Sequence, residues 1–158
     1  MIFVTVGTTH FDPLIQAVDA LAIEGRLADS VLFQIGSGRY EPRGGEFFRF
    51  KPSIDHELAS ADLVITHGGI TVLSLLASRK RFVAVANTAL ADNHQSRYLE
   101  LLGNRSSMIW TDCVDNLSVL VDRALAAEPA RIETPSLVPN LLAYMGVADT
   151  SQGEERPR

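Results

Sequence analysis

Ile2-Phe3-Val4-Thr5-Val6-Gly7-Thr8-Thr9-His10-Phe11-Asp12-Pro13 holds the plan of the fold. The apolar run 2–6 is nearly continuous, as expected of a strand buried on both faces, and it stops at Gly7. Asp12-Pro13 then reads as an N-cap followed by proline at the first helical position. Leu14, Ile15, Val18, Leu21 and Ala22 follow at helical spacing. One strand, one glycine turn and one amphipathic helix make the first βα unit.

The same unit recurs along the chain. Strands are expected at 31–35, 47–50, 63–66, 82–86 and 107–110. Helices are expected at 53–59 (capped by Ser53), 70–77, 92–102 (capped by Asp92), 117–127 and 137–144. Residues 39–45 are a polar loop, and His67-Gly68-Gly69 is a turn. Strand alternating with helix predicts an α/β fold, a doubly wound parallel sheet with helices on both faces. Residues 1–148 form one Rossmann-like domain in this reading, and 149–158, polar with Gly and Pro, a disordered tail.

Composition narrows the function. The 158 residues carry a net charge of −5, which speaks against nucleic acid and against unaided binding to an anionic membrane. A single cysteine, Cys113, excludes an internal disulfide and fits a reducing cytoplasm. It is expected to be a small buried residue. No apolar run reaches the roughly 18 residues of a spanning helix, and residues 1–6 lack the basic region of a signal peptide.

In such a sheet ligands bind beyond the carboxyl ends of the strands. Those ends are Gly7-Thr8-Thr9-His10, Gly36-Ser37-Gly38 and His67-Gly68-Gly69, and the fifth strand leads to Asp92-Asn93-His94-Gln95. Small residues and hydroxyls there let backbone N–H groups approach an anion at the positive end of a helix. One such loop need mean no more than a tight turn; three in succession point to a phosphate-bearing ligand. The P-loop pattern is absent, Glu41 breaks the dinucleotide fingerprint after Gly36-Ser37-Gly38, and there is no G-x-S-x-G elbow. His10, His56, His67 and His94 lack the spacing of a zinc site. The basic run Arg79-Lys80-Arg81 reads as the favourable cationic end of a helix.

Four stretches in order carry a family resemblance. They are Val4-Thr5-Val6-Gly7-Thr8-Thr9 with Phe11-Asp12, then Gln34-Ile35-Gly36, then Ala61-Asp62-Leu63-Val64-Ile65-Thr66-His67-Gly68-Gly69, then Asp92-Asn93-His94-Gln95. Over residues 2–126 the chain resembles the small UDP-sugar transferase subunits of glycosyltransferase family 28. The resemblance implies the C-terminal, donor half of a GT-B enzyme, in which a membrane-associated partner subunit supplies the acceptor side. It implies a UDP-sugar donor, a polyprenyl-diphosphate-linked sugar acceptor, inversion at the anomeric carbon, no cofactor and no bound metal. The chain would then sit in the cytoplasm, held to the inner face of the membrane by its partner.

Residue roles follow from the resemblance and the chemistry together. Backbone N–H groups of Gly7, Thr8, Gly68 and Gly69, with Thr71, suit a diphosphate, and Thr9 and Gly36 are further candidates for the UDP-sugar site. Residues 50–54 would frame uracil, as the family's corresponding loop does. Asn93 and Gln95 can donate and accept toward sugar hydroxyls. His10 is the one titratable side chain placed beside the glycine loops, and it is the candidate general base; the partner half is the other possible source. Where the family has a glutamate for the ribose hydroxyls, alignment from Thr71 puts Ser74. That replacement keeps a second reading open, a non-catalytic nucleotide-sugar-binding subunit. A third, an epimerase relative, normally needs both half-domains in one chain.

Overall fold

The computed structural model describes residues 1–89 and 93–132. Six strands form one parallel sheet in the order β3-β2-β1-β4-β5-β6. They are β1 (Ile2–Thr5), β2 (Val31–Gln34), β3 (Glu46–Phe48), β4 (Leu63–His67), β5 (Phe82–Val85) and β6 (Ile109–Thr111). The helices are α1 (Asp12–Ile23), α2 (Asp55–Ser60), α3 (Thr71–Ala77), α4 (His94–Gly103) and α5 (Leu117–Ala126), the last entered through a 3-10 turn at Val114–Asn116. The order reverses between β1 and β4. β1 pairs with β2 on one side and β4 on the other, Thr5 lying opposite both Gln34 and Thr66.

Alternation along the buried strands feeds two cores. Ile2, Val4, Leu63, Ile65, Val83 and Val85 face α1 and α5, with Leu14, Ile15, Val18 and Val121. Phe3, Val64, Phe82 and Ala84 face the opposite layer, with Val72, Leu75, Leu76 and Leu99. Each large side chain so covered contributes about 1.5–3 kcal/mol. The edge strands β3 and β6 are three residues each.

Several local expectations are corrected. The third strand is Glu46–Phe48, shifted back from 47–50, because it is a half-exposed edge and its pairing with β2 outweighs the aromatic pattern. Phe11, not Asp12, occupies the N-cap of α1, and no side chain caps that helix. The Asp12 carboxylate instead accepts from the N–H groups of Arg39, at 3.1 and 3.2 Å, and of Tyr40, at 3.3 Å. Ser53 precedes the N-cap of α2 by one residue, where its Oγ accepts the Asp55 N–H at 3.1 Å. Cys113 is exposed. In the basic run, Lys80 serves the end of α2 and not that of α3: its Nζ donates to the carbonyls of Ala59 and Ala61. Arg81 Nε donates to the carbonyl of Ala127, just past α5. Asp92 as a cap, the helix at 137–144 and the tail at 149–158 lie outside the described residues.

Candidate functional site

The switch between β1 and β4 brings two strand-to-helix turns together. Along the first, Thr5 is fully buried; its hydroxyl donates to Gln34 Oε1 at 2.5 Å and accepts the Gly7 N–H at 3.1 Å. Gly7 and Gly36 both have positive φ, 62° and 53°. Glycine is required at 36 for a second reason: a Cβ there would lie 2.2 Å from the Thr9 carbonyl oxygen. The Ser37 N–H donates to that same carbonyl at 3.0 Å, so the β1–α1 and β2–β3 loops abut. Thr8, Thr9 and His10 are exposed on the crest.

The second turn is closed. His67, expected in the turn, is the last residue of β4 and only 9% exposed. A Cβ on Gly69 would lie 2.7 Å from its Nε2, and one on Gly7 3.5 Å from its Cε1, so the ring lies between the two turns. Its Nδ1 is buried without a hydrogen-bond partner among the described residues. Burial pushes the imidazole pKa below the ordinary histidine value, the Thr5 carbonyl pulling the other way, so the ring is neutral at pH 7. His67 was not among the sequence candidates, because a polar residue before two glycines reads as turn. The signal that could have found it is the unbroken run from Leu63, which makes position 67 the last pleat of a buried strand.

Of the four N–H groups expected to face a ligand, three are used inside the fold. That of Gly7 goes to Thr5 Oγ1, that of Gly68 to the Val85 carbonyl at 3.0 Å, and that of Gly69 to the His67 carbonyl at 2.7 Å. Thr8 makes no backbone bond of this kind among the described residues. Thr71, half-buried, opens α3, and Ser74 stands one turn on, exposed. Ser74 lines a cavity of about 360 Å³ with Asp55, Leu58 and Ala59 of α2, directly after the loop 50–54. In that loop Phe50 is exposed, and Lys51 pairs with Glu57 while lying 4.3 Å above the Phe48 ring.

Asn93 and Gln95 part company. Gln95 is buried beneath Gly68, whose Cβ would come within 3.1 Å of the Gln95 Cβ. The Gln95 Oε1 accepts the Asn87 N–H at 2.9 Å. Asn87, also buried, donates through Nδ2 to the His10 carbonyl at 3.3 Å and accepts the Ala89 N–H at 3.2 Å. This amide joins the turn after β1 to the turn after β5. Asn93 is exposed in a left-handed conformation (φ 49°), its Oδ1 accepting from Ser96 Oγ at 2.7 Å.

Comparison with known proteins places this arrangement. Residues 1–109 match the glycosyltransferase family 28 C-terminal domain. The chain is 36% identical over 124 residues to the human UDP-N-acetylglucosamine transferase subunit ALG13, covering 71% of this chain and 11% of that protein. It is 33% identical over 123 residues to the mouse protein of the same name, covering 70% and 10%. The chain thus spans about a tenth of the length of these curated relatives. Among solved structures, the spinosyn forosaminyltransferase SpnP superposes with a TM-score of 0.58 at 17% identity, over 92% of this chain and 43% of that one. The glycotransferase of kitacinnamycin superposes at 0.55 with 18% identity, over 80% and 35%. These likenesses show the fold, the Rossmann-like C-terminal half of a GT-B glycosyltransferase. The chain belongs to the glycosyltransferase family 28 C-terminal domain family.

Proposed function

We propose that this chain is the donor-binding catalytic subunit of a glycosyltransferase. It moves a sugar from a UDP-sugar to a polyprenyl-diphosphate-linked acceptor and acts with a membrane-associated partner subunit. The observation that carries the reading is the meeting of residues 7–10 with residues 67–71 at the switch point, where open α/β sheets take nucleotides. The relatives' name, a UDP-N-acetylglucosamine transferase subunit, supports both a UDP-sugar and a partner, and makes UDP-N-acetylglucosamine the first donor to try. Among the described residues no helix is long and apolar enough to cross a membrane, so in this reading membrane attachment belongs to the partner.

In the proposed reaction the acceptor hydroxyl oxygen bonds to the anomeric carbon as that carbon's bond to the β-phosphate oxygen breaks. The electron pair leaves on UDP, the configuration inverts, and the hydroxyl proton passes to His10. Gly7, Thr8, Gly68, Gly69 and Thr71 surround the diphosphate without metal or cofactor, and Thr9 and Gly36 belong to the wider UDP-sugar site. Thr8 and the start of α3 supply N–H groups, and the neutral His67 ring fills the floor. Ser74 meets the ribose, and Asn93 with Gln95 borders the sugar.

Calorimetric titration without added magnesium tests the donor. UDP or a UDP-sugar is expected to bind more tightly than ADP or NAD; a response to NAD with none to UDP ends the reading. Ser74 in place of the family's glutamate favours one second reading, a nucleotide-sugar-binding subunit without catalysis. Transfer by the reconstituted pair, absent from either half alone, rejects that alternative.

A further inference from the structure

On the β2 side of the β1 turn lies a cavity of about 290 Å³, lined by His10, Asp12, Ser37, Gly38 and Arg39. It holds one cation, Arg39, and one carboxylate, Asp12. Arg39 enters no ion pair among the described residues, where the five pairs involve the terminal amine, Arg26, Arg49 and Lys51. The one carboxylate in the lining, Asp12, is spent on the backbone N–H groups of Arg39 and Tyr40. Beneath the loop the Arg49 guanidinium donates to the Gly38 carbonyl at 2.6 Å and to Glu41 at 3.0 Å. It thereby fixes the loop's shape, its own charge met by Glu41.

The walls are rigid. Asp19, fully buried on α1, accepts from the N–H groups of Arg43 and Gly44 at 2.9 and 2.6 Å and from the Tyr40 hydroxyl at 2.6 Å. Asp12 and Asp19 thus hold the β2–β3 loop to α1 at two points, and the Ser37 N–H closes it on Thr9. A guanidinium on a preformed loop gives an oxyanion charge-assisted hydrogen bonds at little ordering cost.

Position selects the anion. In the strand order, β2 and β4 are separated by β1, so this cavity stands roughly 10 Å, two interstrand spacings, from the turn after β4. That gap leaves room for a sugar ring between this cavity and a diphosphate held at the turn after β4. We propose that the cavity binds the diphosphate of the acceptor, with Arg39 as its cationic anchor and Ser37 as its hydrogen-bonding partner. His10, on the β1 side, then lies between that anion and the donor. The inference rests on the reading of this chain as half of a transferase with a diphosphate-linked acceptor, which it deepens by assigning part of acceptor recognition to this half.

The test titrates inorganic diphosphate, without magnesium and at low salt, into the wild-type chain, Arg39→Ala and Arg43→Ala. Arg39→Ala keeps the N–H that Asp12 holds; Arg43→Ala removes the same charge elsewhere. Diphosphate is expected to bind the wild type and Arg43→Ala within about twofold of each other, and Arg39→Ala about tenfold more weakly. Saturating UDP should leave the wild-type affinity unchanged. Displacement of diphosphate by UDP would put the anion in the donor site and overturn the proposal. Equal affinity of Arg39→Ala, or no binding at all, overturns it as well. In the reconstituted pair, Arg39→Ala should raise KM for the acceptor and leave KM for the UDP-sugar unchanged; the reverse pattern also overturns it. Failure of UDP to bind the wild type would instead count against the donor reading.

Discussion

The turns after β1 and β4 are built from the same parts and behave oppositely. Each leaves a buried strand, passes through glycine and enters a helix. After β1 the crest is polar and exposed, and Gly36 of the neighbouring turn after β2 lets the two loops approach closely. After β4 Gly68 is buried, the N–H groups of Gly68 and Gly69 are spent, and the two glycines make room for the His67 ring and for Gln95. Glycine after a strand therefore has two uses, to let backbone approach backbone or to let a side chain lie flat on it. Only the first leaves polar groups turned to solvent.

The sharpest way to break that contrast is Gly36→Ala. A left-handed alanine and a Cβ 2.2 Å from the Thr9 carbonyl together cost about 3 kcal/mol, read as a lowered urea midpoint. If the midpoint holds, the two loops do not abut as described. Next is Gln95→Ala, on the β4 side. Removing Oε1 leaves the buried Asn87 N–H unpaired, at about 1–3 kcal/mol. Urea unfolding should register this before any ligand is added; a loss confined to UDP-sugar binding would mean that Gln95 faces the sugar alone.

Smaller is the pH dependence of His67. Unfolded, its imidazole takes a proton near pH 6.5; folded, burial delays protonation to lower pH. The unfolded state then binds more protons as pH falls below about 6.5, and stability drops there by at most about 1.4 kcal/mol per pH unit. His67→Gln should remove that part of the slope between pH 6.5 and 5 and leave the plateau above pH 7 level. An unchanged slope in the variant would mean that the ring is solvated.

The finest test is Ser74→Glu. A carboxylate on the α3 face toward the cavity should tighten UDP by about 1 kcal/mol, the scale of one hydrogen bond, and UDP-sugar by as much. The gain should vanish with 2′-deoxy-UDP. No gain in a folded variant would move the ribose contact away from α3.

Much of this was legible in the chain itself. Runs such as 2–6 and 63–66 announce buried parallel strands, since both faces of each must be apolar, and they carry the sheet and its helices. The edge strand β3 was displaced by two residues at its carboxyl end because exposed positions carry no such constraint. Asp12 and Asp19 were unreadable for another reason. Their partners lie more than twenty residues away, and a carboxylate's long-range acceptance of backbone N–H groups leaves no local pattern. His67 and Asn87 are the same case at the site, polar residues whose meaning comes from what packs on them.

The two three-residue edges carry a consequence for assembly. Among the described residues the rims of the sheet are β3 and β6, and there a second chain has few free strand groups with which to lengthen the ladder. A chain that docks on the described part of the molecule meets chiefly loops and helices. Such a joint is made of side chains and can slide or hinge, as one made by shared strands could not.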